Sequence, residues 1–243
     1  MKYLRLSGGQ IKAAMEFTLS DGRTITQGTL GGIIDSPRNL AQSGNCWIFP
    51  GSVIQDGAYV SGNAIIDSNG IVSDNARVYG NAVIQGGKVN GEARVLGDAI
   101  VKNNAEVGDA AKVYGTTIVT NGAKIFGTAR VLGGAIVDGG IIKDKAVVMG
   151  NALVKGLVQH EGRVTDCVFV DTDACVEDNA KALGCVKLMG TTNLGQNAIV
   201  TGDHELVDEV IEDASLATNC PDKVPQTNVD CCTTREAWLI ANP

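Results

Sequence analysis

The sequence predicts an all-β solenoid of triangular cross-section, in which short parallel strands coil about a thin apolar core. Three observations predict it. A small residue, usually Ala, recurs every sixth position with Val, Ile or Leu two places later, as in Ala58-Tyr59-Val60, Ala64-Ile65-Ile66, Ala76-Arg77-Val78 and Ala82-Val83-Ile84. A longer period of 17 to 18 residues holds three such hexads, seen by aligning Ala76, Ala93, Ala111, Ala129 and Ala146. Nested periods of this kind belong to stacked repeats, each of which buries its apolar face on its neighbours. Finally, 31 glycines and only 4% aromatic residues suit a core of thin layers rather than one packed around large rings.

Each hexad supplies a strand with one inward aliphatic side chain, then a corner carrying Gly, Asn or Asp, which tolerate tight backbone turns. Three strands and three corners make a triangular coil, and successive coils pair in parallel about 4.8 Å apart. Residues 40–216 accommodate about nine coils. Ahead of them, residues 1–39 form a cap, because the segments 14–19 and 24–30 flank Asp21-Gly22, a hairpin turn dipeptide. After them, residues 217–243 form a tail with a short helix started by the capping box Thr233-Thr234-Arg235-Glu236. After Gly156 the repeat fails through Leu157-Val158-Gln159-His160-Glu161 and resumes at Gly162-Arg163-Val164, which predicts a local loop there.

Charge and composition remove several function classes. A net charge of −7 argues against broad nucleic-acid binding. No run approaches the roughly 20 apolar residues that span a bilayer, and residues 1–9 lack the apolar stretch of a signal peptide, so a cytoplasmic, non-membrane protein is expected. The seven cysteines include no CxxC and no paired His, so no metal site is expected. Cys167 and Cys185 stand one coil apart, within the Cα separation a disulfide tolerates, but reduced thiols are expected in that compartment.

The repeat also fixes the phase of every outward residue. One outward file holds Arg77, Arg94, Lys112 and Arg130, like charges that repel unless water, acids or a bound anion separates them. Beside it runs Tyr79, Leu96, Tyr114, Leu132 and Met149, and across the next corner Val83, Ile100, Ile118, Ile136 and Leu153. These two apolar files border one edge, a stripe larger than a monomer ordinarily leaves in water, and self-association as a homotrimer would cover it. The basic file would then line inter-subunit grooves. Arg77, Arg94, Lys112, Arg130, Tyr79 and Tyr114 are accordingly the candidate ligand-binding residues, suited to a small anionic, nucleotide-like ligand held without turnover. A purely structural role, in a phage particle or envelope scaffold, is the plainest alternative.

The repeats resemble the hexapeptide-repeat superfamily, whose members form left-handed parallel β-helices and usually assemble as trimers. A closer similarity is to its YdcK-like branch of acetyltransferase-like proteins without an established substrate. It is carried by Tyr3-Leu4-Arg5-Leu6-Ser7, Gly31-Gly32-Ile33-Ile34-Asp35 and Gln42-Ser43-Gly44-Asn45-Cys46-Trp47-Ile48. The resemblance implies a left-handed coil and, for an enzyme, an acyl-CoA donor with a histidine as general base at a subunit cleft. Of the two histidines, His160 in the interrupted hexad is the candidate catalytic residue, and His204 lies in an acidic stretch. Two histidines also fall short of the three that the zinc-binding carbonic-anhydrase branch requires.

Overall fold

The computed structural model describes residues 1–217 together with Trp238, Leu239 and Ala241. The described residues form an all-β parallel solenoid of about 10 turns, close to the nine expected, with helix only at Trp238, Leu239 and Ala241. The capping box Thr233–Glu236 lies outside the described residues. Two compact units divide the chain, Met1–Asn121 and Gly122–Pro243.

In the first unit the chain visits three faces in turn. The first face carries Val53–Ile54, Ile71–Val72, Lys88–Val89 and Glu106–Val107; the second carries Tyr59–Val60, Arg77–Val78, Arg94–Val95 and Lys112–Val113. The third carries Trp47–Ile48, Ile65–Asp67, Val83–Gln85, Ile100–Lys102 and Ile118–Thr120. Every pairing among these strands is parallel, with Arg77 opposite Arg94 and Arg94 opposite Lys112. Inward Val78, Ile84, Val89 and Val95 are completely buried, as are Ala76, Ala82 and Ala93 at the hexad starts. Each inward aliphatic contributes about 1.5–3 kcal/mol from burial. The small residue at each start lets the three faces close without overpacking.

The cap continues the first face rather than standing apart from it. Tyr3–Arg5 and Gln10–Ala13 pair antiparallel, Gln10–Ala13 pairs antiparallel with Leu30–Ile34, and Leu30–Ile34 pairs in parallel with Val53–Ile54. The expected hairpin is present: Phe17–Thr18 pairs with Thr24–Ile25 around Asp21-Gly22, where Gly22 takes φ +86°. Arg23 ties it down through Asp21 at 2.7 Å, Asp67 at 2.8 Å and the face of Phe49.

The second unit repeats the three faces. Its first face holds Lys124–Ile125, Ile141–Ile142, Leu157–Val158, Cys175–Val176, Asn193–Gly195 and Val210–Glu212. Its second holds Arg130–Val131, Val147–Val148, Arg163–Val164, Lys181–Gly184, Ile199–Gly202 and Ser215–Ala217. Its third holds Ile136–Asp138, Leu153–Val154, Phe169–Val170, Lys187–Met189 and Glu205–Val207.

Here one expectation is corrected. No loop interrupts the coil after Gly156: Leu157 is in register with Ile141 on one side and Cys175 on the other. The coil merely shortens, since Ile141 to Leu157 spans 157 − 141 = 16 residues. The pattern was hidden because Gly156 and Gly162 occupy the positions usually held by Ala. A Cβ at Gly162 would lie 2.7 Å from the Val176 carbonyl oxygen, so even alanine is too large there.

Candidate functional site

The second face carries the charged side chains that the sequence singled out, and the two units arrange them differently. In the first unit Tyr59, Arg77, Arg94 and Lys112 occupy one outward file in strict register. Arg77 and Arg94 are exposed and Lys112 is half-buried. Among the described residues none of these three cations has a carboxylate partner. Neighbouring unit charges at rung spacing repel by about 1 kcal/mol in water and more where the surface is drier. Tyr59, exposed at the foot of the file, was not singled out from the sequence, although its place in the same phase as Arg77 would have revealed it. Tyr79 and Tyr114 are half-buried beside the file and do not stack on each other, because Leu96 occupies the rung between them.

In the second unit Arg130 stands apart from Arg163, with Val147 on the rung between. Thr128, Arg130, Lys145, Val147, Glu161 and Arg163 line a shallow groove of about 310 Å³. Its floor is the apolar Val147, and a guanidinium stands on either side, about 10 Å apart along the face at rung spacing. Lys145 bonds Glu161 at 2.9 Å. The hydrogen bond and charge of Lys145 hold the Glu161 carboxyl below its ordinary range, and Glu161 in turn raises Lys145. Lys145 and Arg163 were not singled out in the sequence, and Glu161 was hidden because it falls in the glycine-started hexad 156–161, which reads as a break in the repeat.

His160 sits on the corner that leads into Arg163–Val164, in the left-handed region at φ 55°. Asp144 and Asp178 hold the same corner, at φ 61° and 54°. A ladder joins them: the His160 backbone N–H donates to Asp144 Oδ2 at 3.1 Å, and the Asp178 backbone N–H donates to His160 Nδ1 at 3.2 Å. Elsewhere on this corner an aspartate does the same, as where Asp178 Oδ2 accepts from the Gln196 N–H at 3.0 Å. The imidazole thus takes a place that aspartate holds on other coils.

The Asp178 carboxylate is also within reach of Nδ1, at 3.0 Å. One nitrogen cannot serve both contacts at once. With the proton on Nε2, Nδ1 accepts from the Asp178 backbone N–H; with the proton on Nδ1, in the other neutral tautomer or in the imidazolium, Nδ1 donates to the Asp178 carboxylate, and in that neutral tautomer Nε2 is the free base. Half of the His160 side chain is exposed. His204 is half-buried, and its Nε2 has no hydrogen-bond partner among the described residues.

The cysteines correct a second expectation. Cys167 and Cys185 are each disulfide-bonded rather than reduced. The expectation rested on compartment alone. Cys46 and Cys175 are free thiols, and burial, followed by the charges of Glu177 and Asp178, pushes the Cys175 thiol up to about 12. Cys220, Cys231 and Cys232 lie outside the described residues. Among the described residues no cluster of His, Cys, Asp or Glu is arranged to hold a metal ion, and no helix is long and apolar enough to cross a membrane. Compared with known proteins, the chain matches no family model and no curated protein.

Proposed function

We propose that the protein is a homotrimeric binder of a small anionic, nucleotide-like ligand, held on the second face by its basic file. The observation that carries this reading is the in-register file of Arg77, Arg94 and Lys112 with no carboxylate partner among the described residues. Charges aligned by strand register cannot drift apart at their Cα atoms, and an anion lying along the file relieves their repulsion while accepting charge-assisted hydrogen bonds. Tyr59 supplies a ring at the end of the file for a planar group. In the second unit, Arg130 and Arg163 flank Val147 in the same sense, an apolar floor between two anion-binding arms. The resemblance to the hexapeptide-repeat superfamily and its YdcK-like branch agrees with a trimer and with a left-handed coil.

Calorimetry against nucleotides, acyl thioesters and pyrophosphate tests the reading. Each charge-assisted hydrogen bond lost costs about 1.5 kcal/mol, so Arg94→Ala with Lys112→Ala should weaken binding about a hundredfold. Affinity unchanged in that double variant would remove the ligand from the file.

A second reading is favoured by the placement of His160: an acyl-CoA-dependent acyltransferase with His160 as general base. Its Nδ1 is held by Asp178 at 3.0 Å, an arrangement that fixes ring orientation and leaves Nε2 to take a proton from an amine or hydroxyl. Because aspartate serves the same corner on other coils, His160→Asp keeps the ladder and removes the base. Under this reading acetyl transfer falls about a hundredfold or more in that variant while thermal stability holds. Transfer at the original rate in His160→Asp would exclude the mechanism.

A further inference from the structure

The N-terminal strand brings two nucleophilic side chains together in the interior, away from the basic face. Lys2 is 4% exposed and Cys46 is fully buried. The Lys2 Nζ donates to the Cys46 carbonyl oxygen at 2.8 Å and to the Gly44 carbonyl oxygen at 3.2 Å, and lies 3.1 Å from the Cys46 Sγ. The ring of Phe17 lies 5.7 Å from the same nitrogen. Among the described residues no carboxylate meets this ammonium. An amine buried against carbonyls, a ring and a thiol is an unusual retention, since burying a charge without an opposite charge is unfavourable and an apolar side chain would fill the space at lower cost.

The surroundings hold the pair in place. The Lys2 backbone N–H donates to Gln42 Oε1 at 2.8 Å, and Gln42 Nε2 donates back to the Tyr3 carbonyl at 3.1 Å, fixing the strand against the segment that carries Cys46. The Tyr3 hydroxyl donates to the Leu40 carbonyl at 2.7 Å and so stays a neutral neighbour. The Cys46 backbone N–H donates to the Gly62 carbonyl at 2.9 Å, which anchors the thiol to the next coil.

We propose that Lys2 and Cys46 are an oxidisable pair that a peroxide closes into a covalent sulfenamide. In the first step hydrogen peroxide transfers an oxygen to the thiol, giving the sulfenic acid and water; sulfur is oxidised and peroxide reduced. In the second step the Lys2 ammonium releases a proton to solvent, and its nitrogen attacks sulfur. The N–S bond forms, the S–O bond breaks, and the departing hydroxyl leaves as water with an amine proton. Two equivalents of a thiol reductant reverse the link through a mixed disulfide and return the amine and the thiol. Closed, the link joins residue 2 to the third-face strand Trp47–Ile48 through its neighbour Cys46, locking the cap onto the solenoid in response to oxidant.

The test is peptide mapping by mass spectrometry of the full chain after dilute hydrogen peroxide and a catalase quench. The expected result is a peptide pair joined through Lys2 and Cys46, lighter by two hydrogens than its parts and separated by dithiothreitol. Lys2→Arg, which keeps the charge, should give no link and should leave Cys46 as an oxygen acid. Should that variant fold poorly, the unfolded wild-type chain in urea serves instead, and there the link should vanish because the pair is separated. Cys46 carried to sulfinic or sulfonic acid in the folded wild-type chain with Lys2 unlinked would overturn the proposal. So would equal linking in urea.

Discussion

Tyr3 shows how a single buried group ties the cap to solution conditions. Its phenol is pushed up to about 12 from an ordinary 10.0, chiefly by burial, then by Cys46, with a hydrogen bond to Gln42 acting in the opposite direction. The folded chain therefore prefers the neutral phenol more strongly than the unfolded chain does. The resulting stabilisation is fully present below pH 10 and is lost as pH rises toward 12, because the unfolded phenol ionises first. The melting temperature of the wild-type chain should fall across that window. Tyr3→Phe should melt lower at neutral pH, having lost the hydrogen bond to Leu40 worth about 1 kcal/mol, yet fall less steeply between pH 10 and 12. Parallel melting curves for the two chains would show that the Tyr3 phenol is not responsible.

At the scale of the strand and corner, the sequence discloses what points inward far better than what holds the corners. Inward Val and Ile at period six are individually legible, since each must be buried on every coil, and Val78, Val95 and Val113 are all fully buried. The small position at the hexad start is less legible, because the structural requirement is absence of volume and glycine meets it as well as alanine. Gly70, Gly87, Gly140, Gly156 and Gly162 all stand there, each directly before or one residue before a strand such as Ile71–Val72 or Arg163–Val164. A reader keyed to alanine loses the register between two such closely spaced glycines, over 156–161, and with it the place of Glu161 in the groove it shares with Lys145 and Arg163. The corners are harder still. Gly80 and Gly97 stack so closely that a Cβ on Gly80 would lie 2.9 Å from the backbone nitrogen of Gly97, a constraint set by the neighbouring coil. The part played by His160 in the aspartate ladder depends on a backbone at φ 55° and on two residues 16 and 18 positions away, a relation that exists only after the coil lengths are known.

For the molecule as a whole, the proposed self-association depends on how much of the apolar edge remains open. In the first unit Val83, Ile100 and Ile118 on the third face are only half-buried, as are Tyr79, Leu96 and Tyr114 across the corner. In the second unit the third-face file changes character: Ile136 is fully buried, Leu153 is 3% exposed and Phe169 is 8% exposed. Trp238 lies at this place, itself 7% exposed, with its indole N–H donating to Asp138 Oδ2 at 2.7 Å. The third-face file of the second unit is thus already buried, while Leu132 and Met149 across the corner stay half-buried, and the third-face surface left for a second and third copy is the stretch from Val83 to Ile118. Burying one large aliphatic side chain is worth about 2 kcal/mol, so Ile100→Glu with Ile118→Glu removes about 4 kcal/mol per interface before the cost of burying two carboxylates. The wild-type chain should appear as a trimer in native mass spectrometry and light scattering at micromolar concentration, and the double variant as a folded monomer. If the trimer reading is right, anion affinity should fall in the same variant, because the basic file then borders a subunit boundary that no longer exists. A monomeric wild-type chain that binds its anion at full strength would separate the two parts of the proposal, leaving the basic file as a site complete within one chain.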